Sequence, residues 1–228
     1  VELELRSSDS VRGAAARVLE ASGGRLDAVV NNAGYSQLGA VEDVTRDELR
    51  DQFETNVFGA LELTNLLLPA MRERARGTLV FISSVCARVP LPYLGAYSAS
   101  KAALEALADA LRRELRGTDI RVHLLEPGIF NTGCYAATRR HFEGTSASRD
   151  SRHAGACARV LEGFEEELAA IPAERTEVVA RAVEAFLEGR RSSVRRIVPR
   201  GALVYELARR ALPDRWLDAA VSRRRGGR

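Results

Sequence analysis

The chain has 228 residues, 46 % hydrophobic and 29 % charged, with a formal net charge of +3. That length can bury a substantial core, and the composition excludes a disordered chain. The modest charge excludes a strongly basic nucleic-acid surface, and no apolar run approaches the ~20 residues that span a bilayer.

Short apolar runs alternate with helical patterns, which predicts an α/β fold with a mainly parallel sheet in one domain over 1–228. Residues 1–5 read as a strand. Asp9 or Ser10 caps a helix through Glu20 that Gly23 and Gly24 stop. Residues 28–31 form a second strand entering a Gly-containing loop. Thr45 opens a helix to about Arg74, with Phe53, Val57, Ala60, Leu61, Thr64 and Leu68 at helical spacing. Asn56 and Gly59 are weak helix formers in its middle, and Pro69 bends its end.

Residues 78–82 read as a strand, 95–116 as a helix and 120–125 as another strand. The stretch 133–172 is irregular and polar, then helical. A capped helix follows at 176–188, ending at Gly189, and residues 194–198 form the last strand. Amphipathic pieces at about 201–222 carry Leu203, Leu207 and Ala211, then Trp216, Leu217 and Val221. Their apolar faces can cover a sheet edge, a partner or a membrane surface; packing on the core is expected.

Cys86, Cys134 and Cys157 lack paired spacing, and His123, His141 and His153 lack ligand spacing, so neither a disulfide framework nor a metal site is expected. No basic-then-apolar leader opens the chain, which with the cysteine usage predicts a cytoplasmic protein. The Arg223, Arg224, Arg225 run reads as a solvated tail.

All but one of the 34 basic residues are arginine, and the exception is Lys101. It lies four residues after Tyr97 on a predicted helix, one turn along the same face. A phenol has a pKa of about 10, too weak an acid for work near neutrality. An ammonium at roughly 5 Å, at an effective dielectric near 20, favours phenolate by roughly 3 kcal/mol, or about two pKa units. A Tyr-x-x-x-Lys pair is ordinarily an exposed helix pair. Here the single lysine in an arginine-rich chain would fall at this spacing from one of five tyrosines with a chance of only ~2 %. Ser84 ends the apolar run 78–82 across a Pro-containing loop, where α/β sheets present ligands, and its hydroxyl can hold a carbonyl or alcohol oxygen beside the phenol.

These residues and others form a series: Asn31-Asn32-Ala33-Gly34, Asn56-Val57-x-Gly59, Ser84, Tyr97-Ser98-Ala99-Ser100-Lys101 and Pro127-Gly128-x-x-x-Thr132. In order and spacing it resembles the short-chain dehydrogenase/reductase family, over residues 1 to about 199. The resemblance implies a Rossmann-like, doubly wound sheet with helices on both faces. It also implies an NAD- or NADP-dependent enzyme interconverting a secondary alcohol and a carbonyl. Tyr97 would be the acid/base. Lys101 would lower the Tyr97 pKa and bond the nicotinamide ribose, Ser84 would position the substrate oxygen, and Asn56, in a helix distortion, would anchor a water. Asn31, Ala33 and Gly34 would line the cofactor, Pro127, Gly128, Phe130 and Thr132 would hold the nicotinamide, and Glu4 would stand beside the adenine.

The family's opening strand, its T-G-x-x-x-G-x-G turn, first helix and second strand have no counterpart in this sequence. The expectation is an N-terminally truncated copy, lacking the first two strands and first helix of the fold. A catalytically inactive remnant or a non-catalytic binding or interaction module is the alternative. By resemblance the partners are a small alcohol or carbonyl substrate and further copies in a homodimer or homotetramer; neither nucleic acid nor a membrane is expected.

Overall fold

The computed structural model describes residues 1–145, 151–172, 176–189 and 193–224, with side chains to 221. The arginine run at 223–225 lies outside the described side chains.

Four parallel strands form one sheet in sequence order: β1 (Ala28–Asn31), β2 (Arg76–Ile82), β3 (Asp119–Pro127) and β4 (Arg195–Val198). In β2 successive side chains point to opposite faces, as the two-residue period of a strand requires. Leu79 and Phe81 join one core with Val122 and Leu124 of β3, while Val80 and Ile82 join another. On the first face pack helices α1 (Ser8–Ser22), α3 (Gly59–Glu73) and α4 (Gly95–Glu114) through Ala15, Leu67, Met71, Leu104 and Ala108. Three more helices follow α4: α5 (Gly133–Gly144), α6 (Ala154–Ala169) and α7 (Glu177–Leu187). The second face is covered by α7 through Ala182 and Phe186. The doubly wound, parallel α/β architecture expected from the sequence is present. Strand β2 is buried on both sides, which accounts for its unbroken apolar run 79–82.

Several local expectations need correction, among them the irregular start of 133–172, which is helical from Gly133. Residues 1–5 are not a strand: they run as irregular chain, with the Leu5 carbonyl oxygen over Gly59, where an added Cβ would lie 2.2 Å away. Strand pairing for β1 comes from β2, so the apolar period of Val1, Leu3 and Leu5 finds no ladder; of the three only Leu5 is buried. The cap of α1 is Ser7, whose hydroxyl accepts from the Ser10 N–H, rather than Asp9 or Ser10.

The long helix predicted from Thr45 is also divided. Thr45 closes a capping box with Glu48 at the start of α2 (Arg46–Phe53), but a π-helical turn, Glu54–Phe58, separates α2 from α3. Pro69 lies within α3.

After β4 come α8 (Leu203–Ala211) and α9 (Asp214–Arg224). Contrary to the expected core packing, α8 buries none of its residues, and Leu207 and Trp216 are 63 % and 59 % exposed. The sheet faces are already covered by α1, α3, α4 and α7. Among the described residues no helix is long and apolar enough to cross a membrane, and no group of three or more His, Cys, Asp or Glu side chains could hold a metal.

Candidate active site

The C-terminal end of β2 supplies the first group. Beyond Ile82 the chain keeps to its neighbour, the Ser83 N–H donating to the Leu125 carbonyl at 2.7 Å. Ser84 then leaves the sheet and caps a 3-10 turn, Val85–Ala87, its hydroxyl accepting from the Cys86 N–H at 3.2 Å. A serine at a strand tip thus serves a local turn while its oxygen faces the cavity.

Helix α4 supplies the second and third. Tyr97 and Lys101 sit one turn apart, with Nζ 6.0 Å from the centre of the phenol ring. Lys101 is buried, and Nζ donates to the Ile82 carbonyl at 2.8 Å, tying α4 to the tip of β2. The Ser84 hydroxyl lines the same cavity and lies near enough to the Tyr97 phenol to favour its ionised form. Three groups from two elements therefore share one point.

Electrostatics there are set by desolvation. Burial pushes the Tyr97 phenol up, as do the neighbouring Cys86 and Cys134 thiols, while the nearby Ser84 hydroxyl pulls the other way. The expected net lowering by the ammonium does not occur in the chain by itself, because burial weighs on Lys101 too. Desolvation brings its pKa down to about 8 against the opposing pull of Cys134 and Glu105.

Asn56 is placed by the π-helical turn. Its side chain is 1 % exposed; Oδ1 accepts from the Tyr35 N–H at 3.1 Å, and Nδ2 donates to the Tyr35 carbonyl at 3.0 Å and to Ser100 Oγ at 3.0 Å. Ser100 in turn donates to the Tyr97 carbonyl at 2.7 Å. Gln52, one turn earlier, adds a bond from Nε2 to the same Tyr35 carbonyl at 2.9 Å. The amide pair holds the loop after β1 against α4. An added Cβ on Gly34 in that loop would lie 2.9 Å from Asn56 Oδ1 and 3.4 Å from Lys101 Nζ, so the glycine is what lets the loop approach.

A cavity of about 880 Å³ joins these groups, of a size that suits a cofactor or small molecule. Ser84, Tyr97, Lys101, Ala33, Gly34, Pro127, Gly128, Phe130 and Thr132 all line it. Asn56 touches it only through Gly34 and Tyr35. Asn31 does not line it: its amide donates to Thr64 Oγ1 at 2.9 Å, pinning β1 to α3. Glu4 does not either; it lies exposed in the first residues, its carboxylate on the Arg6 N–H and guanidinium. The residues at the Tyr97 end thus fit a flat ring and its ribose, through the Gly34 and Gly128 backbones and the Thr132 hydroxyl. Glu4 and Asn31 do not extend that fit.

Several lining groups escaped the sequence reading. Asn32 takes the place expected of Asn31. The Ile82 carbonyl is a main-chain group with no residue signature. Val204 and Tyr205 come from α8. Among the described lining residues Lys101 is the sole charged side chain, so the described arginines of 133–172 stay out.

The sequence matches the family described as short chain dehydrogenase over residues 1–142. It is 44 % identical over 132 residues to the Uncharacterized oxidoreductase YbbO of Escherichia coli (strain K12), covering 58 % of this chain and 49 % of that one. It is 34 % identical over 198 residues to the NADPH-dependent 3-dehydrocapnine reductase of Ornithobacterium rhinotracheale, covering 85 % and 68 %. Among solved structures, a short-chain dehydrogenase from Streptomyces avermitilis superposes with a TM-score of 0.70 at 34 % identity, covering 98 % of this chain and 80 % of that one. The chain spans about half the length of the first curated relatives it matches.

Proposed function

The chain belongs to the short-chain dehydrogenase family, and from that we propose that the protein is an NAD(P)-dependent oxidoreductase interconverting a secondary alcohol and a carbonyl, with Tyr97 as acid/base. The observation that carries this is the meeting of the Ser84 hydroxyl, the Tyr97 phenol and the Lys101 ammonium in one cavity. A relative of the chain bears the name of an NADPH-dependent reductase, which supports the cofactor class.

In reduction, the Ser84 hydroxyl donates to the substrate carbonyl oxygen and holds it against the phenol. Tyr97 passes its proton to that oxygen; in the reverse direction it takes the proton back. The Lys101 ammonium, desolvated beside the ring, stabilises the phenolate left behind. We assign to Asn56 the anchoring of a water at the Lys101 end. A bound nicotinamide nucleotide supplies hydride transfer. Ala33, Gly34, Lys101, Pro127, Gly128, Phe130 and Thr132 would hold it, with Asn32 beside them.

Among the described residues the lining has one charged side chain, itself engaged by the Ile82 carbonyl, which favours an uncharged and largely apolar substrate. Exposed Leu49, Phe58 and Leu107, on the α2–α3 segment and on α4, support self-association into a homodimer or homotetramer.

The test is titration with NADH and NADPH by nucleotide fluorescence, then turnover of an apolar cyclic ketone. Tyr97→Phe should lower kcat by roughly 100-fold or more and leave nucleotide affinity within about twofold. Undiminished turnover in that variant, or no binding of either nucleotide, refutes the proposal.

A further inference from the structure

We propose that Arg88 is a positioning residue that fastens helix α8 over the substrate side of the cavity by bridging Glu126 and Glu206. This rests on the oxidoreductase reading only in taking that cavity as the substrate site.

Arg88 lies four residues past Ser84, on the same loop. Its Nε donates to Glu126 Oε2 at 3.0 Å and its Nη2 to Glu126 Oε1 at 2.9 Å, a two-pronged grip on a fully buried carboxylate at the end of β3. The remaining prong, Nη1, donates to Glu206 Oε2 of α8 at 3.0 Å. A planar guanidinium can hold two carboxylates at once in fixed directions, which a compact ammonium cannot.

The body side of this bridge is firmly backed. Arg195 of β4 donates to Glu126 Oε1 at 2.8 Å, to Glu105 Oε2 at 2.6 Å and to Asp109 Oδ2 at 2.7 Å. Glu105 also accepts from the Ser83 hydroxyl at 2.7 Å. The charged cluster thereby joins β3, β4, α4 and the tip of β2, the elements that carry Tyr97, Lys101 and Ser84.

The α8 side is lightly held. The helix buries none of its residues, and Leu203, Val204 and Leu207 are exposed, so apolar burial does little to seat it. Yet Val204 and Tyr205 line the cavity, and Glu206 is the next residue. The Arg88–Glu206 ion pair thus ties this wall to a rigid cluster. Loosening it should weaken the grip on an apolar substrate while leaving the proton-passing groups in place.

The experiment uses Glu206→Gln and Arg88→Lys in the full 228-residue chain, with hydrogen exchange and kinetics measured together. In both variants the amides of 207–211 should exchange roughly tenfold faster, the scale of a lost charged hydrogen bond. Amides of α4 and β3 should be unchanged, showing that the fold is intact. KM for an apolar ketone should rise about tenfold with kcat within about twofold, a split that general damage to the protein would not give. Unchanged exchange in α8, or faster exchange with KM unaltered, overturns the proposal. Faster exchange in a chain whose unaltered form turns over no ketone supports the fastening by Arg88 and refutes the oxidoreductase reading instead.

Discussion

Replacing Gly34 by alanine tests how tightly the loop after β1 is set against the candidate site. The added methyl carbon would lie 2.9 Å from Asn56 Oδ1, 3.5 Å from its Cγ and 3.4 Å from Lys101 Nζ. Asn56 has no room to retreat, being buried and held by the Tyr35 N–H, the Tyr35 carbonyl and Ser100. Gly34 is not among the glycines with positive φ, so backbone preference adds nothing and the contact alone is probed. Either the loop lifts or the amide gives up a buried hydrogen bond, and each route costs about 2 kcal/mol. Urea unfolding should show that loss as a lower midpoint at unchanged slope. In an Asn56→Ala background the cost of Gly34→Ala should largely vanish, since the obstructing oxygen is gone. A single variant as stable as the parent, or strictly additive costs in the double variant, would refute the reasoning.

Stability should depend on pH through Lys101, whose pKa burial brings from 10.5 down to about 8. Between those values the unfolded chain binds more protons, so stability rises with pH across the window, by about 3 kcal/mol in all. Lys101→Met should remove that rise; a parent-minus-variant difference that stays flat from pH 8 to 10 contradicts it. Glu126→Gln takes the shared carboxylate from between Arg88 and Arg195. Uncompensated buried charge should then lower unfolding free energy by about 3 kcal/mol, and a change below about 1 kcal/mol would show that Glu105 and Asp109 suffice.

The strands at 78–82 and 120–125 and helix α4 were legible because long apolar runs and helical periodicity leave few alternatives. Tyr97, Lys101 and Ser84 were legible for a different reason: one lysine amid arginines is a chemical anomaly visible without coordinates. Asn56 was similarly visible as a misfit in mid-helix, and the helix distortion that the resemblance implied there is the π-helical turn Glu54–Phe58. The first five residues misled because alternation signals a face to bury and not the partner that buries it; α3, through Gly59, receives Leu5. Asn31 and Asn32 are indistinguishable by type, and only the direction of each side chain from β1 sends one amide to Thr64 and the other to the cavity. Arg88 was hidden by the very abundance that exposed Lys101. The direction of the Tyr97 shift was misjudged because the cost of burying the phenolate was left out.

The five residues from Glu54 to Phe58 set the phase between two helical faces. Upstream of them Gln52 points to the Tyr35 loop, and downstream Gly59 meets Leu5 while Leu67 and Met71 reach the sheet. Excising a single residue there would swing one face by about 100° against the other. Either the amides would leave Tyr35 or the apolar stripe of α3 would leave the core. Chain length in this stretch is therefore a quantised variable, and a deletion harmless in an open loop would here uncouple the site from the sheet that supports it.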